Sequence, residues 1–274
     1  MTAPAATAPI GVFDSGLGGL TVVGELIRQL PRESLIYFGD TARVPYGPKS
    51  PDTIRRYSRE IADYLLGEGV KALVVACNTA TAHALPMLAA ELPIPVIGVV
   101  EPGARAAVAA TRGLGIGVIG TAGTIASGAH EHAIHALAPT ARVTTQACPL
   151  FVPLVEEGWL DTEATRLIAQ QYLAPVVAAG IDTLVLGCTH YPLLTPILAP
   201  IVGPSVRLID SAHATAAATR RAIEDTGLGR PMVSAEGATP RYRFIVSDAA
   251  DQFLQAARRF LGATIERVET RTLG

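Results

Sequence analysis

Short β-branched and aromatic segments alternate with amphipathic segments along most of the chain, and this alternation constrains the fold more than any other feature. The segments IGVFD at 10–14 and SLIYFGD at 34–40 are predicted strands. Between them, apolar residues recur at helical spacing from Leu20 to Leu30, and Pro31 closes the pattern. Strands separated by helices favour an α/β fold with mainly parallel sheets.

An internal repeat divides this pattern into two similar parts. The segment GEGVKALVVACNTA at 67–80 is echoed by AAGIDTLVLGCTHYP at 178–192. In both, a helix ends near glycine, an apolar strand follows, and the strand ends at a cysteine. The copies are about 110 residues apart, a spacing typical of domains rather than of solenoid repeats. We therefore predict two pseudo-symmetric α/β halves that place Cys77 and Cys188 at equivalent positions.

Composition excludes several classes of protein. Hydrophobic residues make up 49% of the 274 residues, which supports packed cores. The formal net charge of −2 predicts neither a nucleic-acid partner nor a membrane-surface partner. Three widely spaced cysteines fit reduced thiols in a cytoplasm better than a disulfide framework. We recognise no signal peptide and no apolar run of about eighteen residues, so the sequence predicts a cytoplasmic protein.

Cys77 and Cys188 each stand where a predicted strand ends and a helix begins. Ligands of open parallel sheets bind beyond the carboxyl ends of the strands. The start of a helix also favours negative charge, so we expect a lowered thiol pKa at these positions. A single cysteine could equally be a small buried hydrophobic residue. Two at matched positions of a repeat favour a functional pair.

The glycine-rich segment FDSGLGGL at 13–20 places Asp14 and Ser15 at the end of the first strand. Glycines permit close approach of a ligand, and the helix that follows suits a carboxylate or phosphate. The segment is no P-loop, because no GK[ST] follows it. An ordinary helix cap remains an alternative for Asp14.

Three other features of the sequence could have either a functional or a purely structural role. The G-x-G-x-x-G at 115–120 precedes or lies inside its strand, so we predict no dinucleotide site there. The histidines of HEHAIH, His130, His132 and His135, lack partners at metal-ligand spacing and predict a solvated helix face. His190, two residues after Cys188, could activate the thiol or hold a substrate.

Two thiols on opposite sides of a cleft suggest acid–base chemistry at one carbon. One thiolate removes a proton from one face, the other thiol returns a proton to the opposite face, and the stereocentre is inverted. Amino-acid racemases that use pyridoxal phosphate need a Schiff-base lysine. Lys49 lies in a proline-rich loop and Lys71 begins a strand at the wrong end, so we predict a route without a cofactor and without a metal.

Several segments together resemble one family. They are GVFDSGLGGLTV, YFGDTARVPYG, VVACNTA, GVIGTAGT, CPLFVPLVEEG and LVLGCTHYPLL, in family order over nearly the whole chain. The chain resembles the glutamate racemases of the cofactor-independent aspartate/glutamate racemase superfamily. This resemblance implies interconversion of L- and D-glutamate by two cysteines, which supplies D-glutamate for peptidoglycan synthesis.

The resemblance also implies roles for individual residues. Cys77 and Cys188 match the catalytic bases, the first for D-glutamate and the second for L-glutamate, and Asp14 and His190 match groups that assist them. Asp40 and Glu156 match acidic residues of supporting role. Substrate contacts are matched by Asp14, Ser15, Tyr46, Gly47, Asn78, Thr79, Thr121, Thr189 and His190.

The family further implies two domains and a homodimer. The first domain comprises residues 1–98 and 211–274, and the second comprises 99–210. The sequence also predicts a short tail at 1–8 and a loop at 227–243. Three alternatives stay open: a relative acting on aspartate or another acid, a Cys–His hydrolase or transferase using Cys188 and His190, and a non-catalytic amino-acid binder.

Overall fold

The computed structural model describes residues 5–113, 115–231 and 239–273. The strands in these ranges are β1 (Ile10–Asp14), β2 (Leu35–Gly39), β3 (Ala72–Val75), β4 (Val96–Gly98), β5 (Gly115–Gly120), β6 (Arg142–Ala147), β7 (Thr183–Gly187), β8 (Arg207–Ile209), β9 (Tyr242–Val246) and β10 (Glu269–Thr270). The helices are α1 (Leu20–Gln29), α2 (Pro51–Gly67), α3 (Asn78–Glu91), α4 (Val100–Ala110), α5 (Ala122–Ala126), α6 (Ala129–Leu137), α7 (Phe151–Glu156), α8 (Glu163–Ala178), α9 (Thr195–Val202), α10 (Ala212–Asp225) and α11 (Ala250–Leu261).

The strands form two parallel sheets with related strand orders. The first sheet has the order β10-β9-β2-β1-β3-β4, and the second has the order β6-β5-β7-β8. The run β2-β1-β3-β4 of the first sheet therefore corresponds, strand for strand, to the whole second sheet. This correspondence makes β3 and β7 equivalent, which agrees with the sequence repeat. The predicted fold class, two pseudo-symmetric α/β halves on parallel sheets, is confirmed.

Helices cover both faces of each sheet. In the first, α1, α10 and α11 pack on one face and α2 and α3 on the other. In the second, α7, α8 and α9 cover one face and α4 and α6 the other. Strands β1, β2 and β3 are buried along their whole length, as expected for parallel strands between two helical layers.

Local signals place the helices that frame the site. Ser50 caps α2 by accepting a hydrogen bond from the backbone N–H of Thr53, and Pro51 occupies the first helical position. Cys77 is the residue before α3, and its sulfur accepts the N–H of Ala80 at 3.5 Å. Cys77 thus lies between β3 and α3, as the sequence predicts. Cys188 directly follows β7, but a short 3-10 turn at Tyr191–Leu194 separates it from α9, which begins at Thr195.

The boundaries of the two domains stay a prediction, although residues 10–98 and 242–270 supply the first sheet and residues 115–209 supply the second. Residues 1–4 of the predicted tail and 232–238 of the predicted loop lie outside the described residues. None of the described helices combines the length and the hydrophobicity needed to cross a membrane.

Candidate active site

The candidate site lies at the point in each sheet where successive chain connections leave in opposite directions along the sheet. Chain connections run from β1 to one side of the first sheet and from β3 to the other, so the loops after these two strands leave a crevice. Asp14 ends β1, and Cys77 follows β3. In the second sheet, Thr121 follows β5 and Cys188 follows β7. Four predicted site residues therefore occupy the two equivalent crevices.

Both crevices open into one small cavity. In this structure the cavity is nearly closed, with a volume of about 10 Å³, far below the roughly 300–1,000 Å³ of sites for drug-sized ligands. Its lining residues are Ser15, Pro45, Tyr46, Gly47, Cys77, Asn78, Thr79, Thr121, Val152, Cys188, Thr189 and His190. Sequence reasoning missed Pro45 and Val152, whose side chains carry no chemical signature.

Cys77 is buried and remains a thiol in this environment. Its sulfur lies 3.8 Å from the hydroxyl oxygen of Ser15 and 3.5 Å from the N–H of Ala80. Burial, together with the nearby charge of Asp14, raises the pKa of Cys77 to about 12. The expectation of a lowered pKa at this helix start is therefore wrong for Cys77, because desolvation and the carboxylate outweigh the favourable N–H group.

Cys188 faces a histidine instead. Its sulfur lies 3.8 Å from Nδ1 of His190, and Nε2 of His190 lies 2.6 Å from a carboxylate oxygen of Glu156. Burial on its own would lower the pKa of His190, but the hydrogen bonds with Cys188 and Glu156 raise it well above the usual value. Burial on its own would raise the pKa of Glu156, but the hydrogen bond with His190 and the charge of its ring lower it. A protonated ring held by a carboxylate therefore adjoins the second cysteine.

The carboxylate of Asp14 lies behind the cavity wall and links the two halves. Its oxygens accept hydrogen bonds from the N–H of Gly16 at 3.0 Å and from the hydroxyl of Thr189 at 3.2 Å. Burial raises the pKa of Asp14, and the neighbouring charge of His190 only partly offsets this. Asp14 therefore supports Thr189 and influences Cys77 without lining the cavity. It does not cap α1, whose preceding residue is Gly19.

Hydroxyl groups from both halves meet on another side of the cavity. Oγ1 of Thr79 lies 2.9 Å from Oγ1 of Thr121 and 3.0 Å from Oγ1 of Thr124. Gly47 fits here because a Cβ on it would lie 2.6 Å from Cβ of Thr121. Its carbonyl accepts the N–H of Gly123 at 2.9 Å. Thr124, which sequence reasoning missed, completes this cluster from the first turn of α5.

Asp40 and Glu156 stand behind residues that line the cavity. Tyr46 donates a short hydrogen bond to Asp40, which also accepts from Nε of Arg43 at 2.7 Å. Burial and the adjacent Asp40 carboxylate raise the pKa of Tyr46, so its hydroxyl stays protonated. Asp40 thus holds Tyr46, as Glu156 holds His190.

The remaining predictions on cysteine and histidine have mixed outcomes. The three cysteines are free thiols, and Cys148 packs in the core of the second half away from the cavity lining. His132 is exposed, but His130 is 3% exposed and lies 3.0 Å from Oδ1 of Asn78. The predicted solvated face is therefore wrong for His130, because the helix start turns this residue toward the other half.

Comparison with known proteins agrees with this geometry. A family model described as Asp/Glu/hydantoin racemase matches residues 10–219. The chain belongs to the Asp/Glu/hydantoin racemase family. It is accordingly an isomerase of the racemase type, as the sequence resemblance predicts.

Individual relatives are similar over almost their full length. A glutamate racemase from Syntrophus aciditrophicus is 54% identical over 261 residues, which cover 95% of each chain. The crystal structure of a glutamate racemase isoform from Bacillus anthracis matches with a TM-score of 0.90 at 42% identity, covering 97% of each chain. The structure of glutamate racemase from Francisella tularensis in complex with D-glutamate matches with a TM-score of 0.88 at 36% identity, covering 97% of this chain and 98% of that one.

Neither lysine of this racemase lines the cavity. Nζ of Lys71 is buried 2.5 Å from a carboxylate oxygen of Glu33 and 2.6 Å from the carbonyl of Ala6. Replacing Lys71 with methionine leaves Glu33 buried without its cation. We expect the free energy of unfolding to fall by about 3 kcal/mol, with unchanged turnover per folded molecule.

Urea unfolding and activity at 25 °C measure both quantities. The matched control is Arg166→Met, which removes exposed ion pairs with Asp161 and Glu163 and is expected to cost less than about 1 kcal/mol. Loss of turnover in folded Lys71→Met protein would instead assign this lysine a chemical role.

Proposed function

We propose that this racemase interconverts L- and D-glutamate by a two-base mechanism with Cys77 and Cys188 and without a cofactor. The observation that carries the proposal is the position of the two thiols. They follow equivalent strands of two pseudo-symmetric sheets and line one small, nearly closed cavity. A substrate carbon between them is accessible to one thiol on each face.

The chemical step transfers one proton on each face. In the L-to-D direction, the thiolate of Cys188 takes the α-proton, and the electron pair of the broken C–H bond is left on Cα and its carboxylate. Cys77 then donates its thiol proton to the opposite face and becomes the thiolate. The D-to-L direction exchanges the two roles. The protonated ring of His190 beside Cys188 and the high pKa of Cys77 suit the L-to-D starting state.

The carbanionic intermediate requires donors that are already oriented. Ser15, Asn78, Thr79, Thr121 and Thr189 place hydroxyl and amide groups around the cavity. The backbone N–H groups at the start of α3 add positive potential beside Cys77. In a site closed to bulk water, fixed donors of this kind lower the cost of negative charge that develops on a carboxylate. We propose that they hold the ammonium and carboxylate groups of glutamate.

The biological setting follows from the resemblance and from composition. We propose that the D-glutamate serves peptidoglycan synthesis in the cytoplasm and that the racemase acts as a homodimer. The net charge of −2 supports the absence of nucleic-acid and membrane partners.

The direct test is incubation of the purified protein with L- or D-glutamate in deuterated water without added cofactor. We expect the circular dichroism signal of either enantiomer to decay to zero while deuterium enters at Cα. Absence of both inversion and exchange would overturn the proposal. Aspartate, tested in parallel, is expected to react far more slowly, and faster inversion of aspartate would reassign the substrate.

A further inference from the structure

His130 is a buried histidine that the proposed chemistry does not use. It stands at the second position of α6 in the half that carries Cys188. Its Nε2 lies 3.0 Å from Oδ1 of Asn78, which belongs to the half that carries Cys77. The hydrogen bond therefore crosses between the halves, directly beside the cavity that Asn78 lines.

Two glycines allow the ring to reach this position. Gly128, the N-cap residue just before α6, has a φ of 67°, a conformation that favours glycine. A Cβ on Gly187, the residue before Cys188, would lie only 3.1 Å from Nε2 of His130. The ring of His130 thus packs against Gly187, which precedes Cys188. Its Nε2 is hydrogen-bonded to Asn78, which follows Cys77.

The direction of this hydrogen bond follows from the charge of the ring. Burial lowers the pKa of His130 to about 4, so at neutral pH the ring carries one proton. Its Nδ1 is buried with no partner among the described residues, a position that suits the unprotonated nitrogen. The proton then lies on Nε2, which donates to Oδ1 of Asn78.

The orientation of Asn78 is thereby determined. With Oδ1 accepting from His130, the amide Nδ2 is directed away from the ring, and it has no acceptor in the described part of the chain. Asn78 is 3% exposed and lines the cavity. An N–H donor without a protein partner at this place suits a carboxylate of the substrate.

We propose that His130 is a positioning residue that fixes the side-chain amide of Asn78 with its N–H group toward a substrate carboxylate. The proposal rests on the proposed function, in which Asn78 contacts glutamate. His130 acts through Asn78 and does not touch the reacting atoms.

The test compares His130→Phe, which keeps a ring but removes the donor, with His130→Gln, which restores an N–H group. Because a neutral hydrogen bond contributes about 1 kcal/mol, we expect His130→Phe to lower kcat/KM about fivefold to tenfold in both directions, mainly through a higher KM. His130→Gln is expected to stay within about threefold of the wild type. The matched control is His132→Phe, an exposed histidine two residues away on the same helix.

A merely structural role is distinguished by a double-mutant cycle with Asn78→Ala. If His130 acts through Asn78, His130→Phe causes no further loss of kcat/KM in the Asn78→Ala background. If turnover of that background is too slow to measure, the Kd for D-glutamate from calorimetry replaces kcat/KM in the cycle. Equal losses in both backgrounds, or no rescue by glutamine in folded protein, would overturn the proposal. Failure of the proposed function is visible separately, because the wild type would then not racemise glutamate.

Discussion

Replacing either Cys77 or Cys188 with serine is expected to lower kcat/KM for racemisation at least a thousandfold in both directions. A serine hydroxyl has nearly the same shape as a thiol but is a far weaker acid, so it neither forms the required anion nor donates a proton as readily. General acid–base groups contribute roughly 10²–10⁴ in rate, and each direction needs both thiols. Circular dichroism with each enantiomer measures the loss.

Deuterium exchange separates the two variants. In the proposed mechanism Cys77→Ser retains the base for L-glutamate, so it is expected to exchange the α-proton of L-glutamate faster than that of D-glutamate. Cys188→Ser is expected to show the reverse preference. Proton NMR in deuterated water follows the exchange.

Cys148→Ser is the matched control for both variants. This cysteine is buried in the second half, and its sulfur lies 3.7 Å from the carbonyl of Gln146, which a serine hydroxyl can also contact. We expect activity within about threefold of the wild type, since the residue lies outside the cavity. Near-normal turnover of either cavity-cysteine variant would contradict the two-base mechanism. Loss in Cys188→Ser alone would favour a Cys–His hydrolase or transferase.

The positions of the two cysteines were predictable because they depend on local patterns. A buried parallel strand is a short apolar run, a helix start has its own signals, and the carboxyl ends of parallel strands share one edge of the sheet. The repeat at 67–80 and 178–192 makes Cys77 and Cys188 equivalent in the sequence itself. The strand orders of the two sheets confirm this equivalence.

The acidity of Cys77 was not predictable by the same reasoning. A helix start favours a thiolate, but burial and the charge of Asp14 dominate, and both arise from tertiary packing. The contact of His130 with Asn78 joins residues that are 52 positions apart. The backbone N–H of Leu17 donates a hydrogen bond of 3.4 Å to a carboxylate oxygen of Glu156, although the two residues are 139 positions apart. Residue type and spacing along the chain contain no information on such contacts.

Replacing His190 with asparagine is expected to lower kcat/KM about a hundredfold. The change removes the protonated ring beside Cys188 and leaves Glu156 without the partner that lies 2.6 Å away. The fall in kcat/KM should be the same for both enantiomers, because the equilibrium constant between them is one. Exchange of the α-proton into deuterated water should slow more for L-glutamate than for D-glutamate, because Cys188 is the proposed base for L-glutamate. Proton NMR with each enantiomer measures this difference.

The same variant gives a pH-dependent change in stability with a definite sign. The folded protein raises the pKa of His190 above its unfolded value of about 6.5. The stabilisation from the ring is therefore complete below about pH 6.5 and is lost as the pH rises through the folded pKa. The Tm of the wild type should exceed that of His190→Asn most at pH 5–6, and the difference should shrink toward pH 9.

His213→Asn, which removes an exposed histidine 3.1 Å from Glu25, is the matched control and should change neither activity nor the pH dependence. A Tm difference that grows with pH would mean that His190 is neutral in the folded protein, and the charge assigned beside Cys188 would then be wrong.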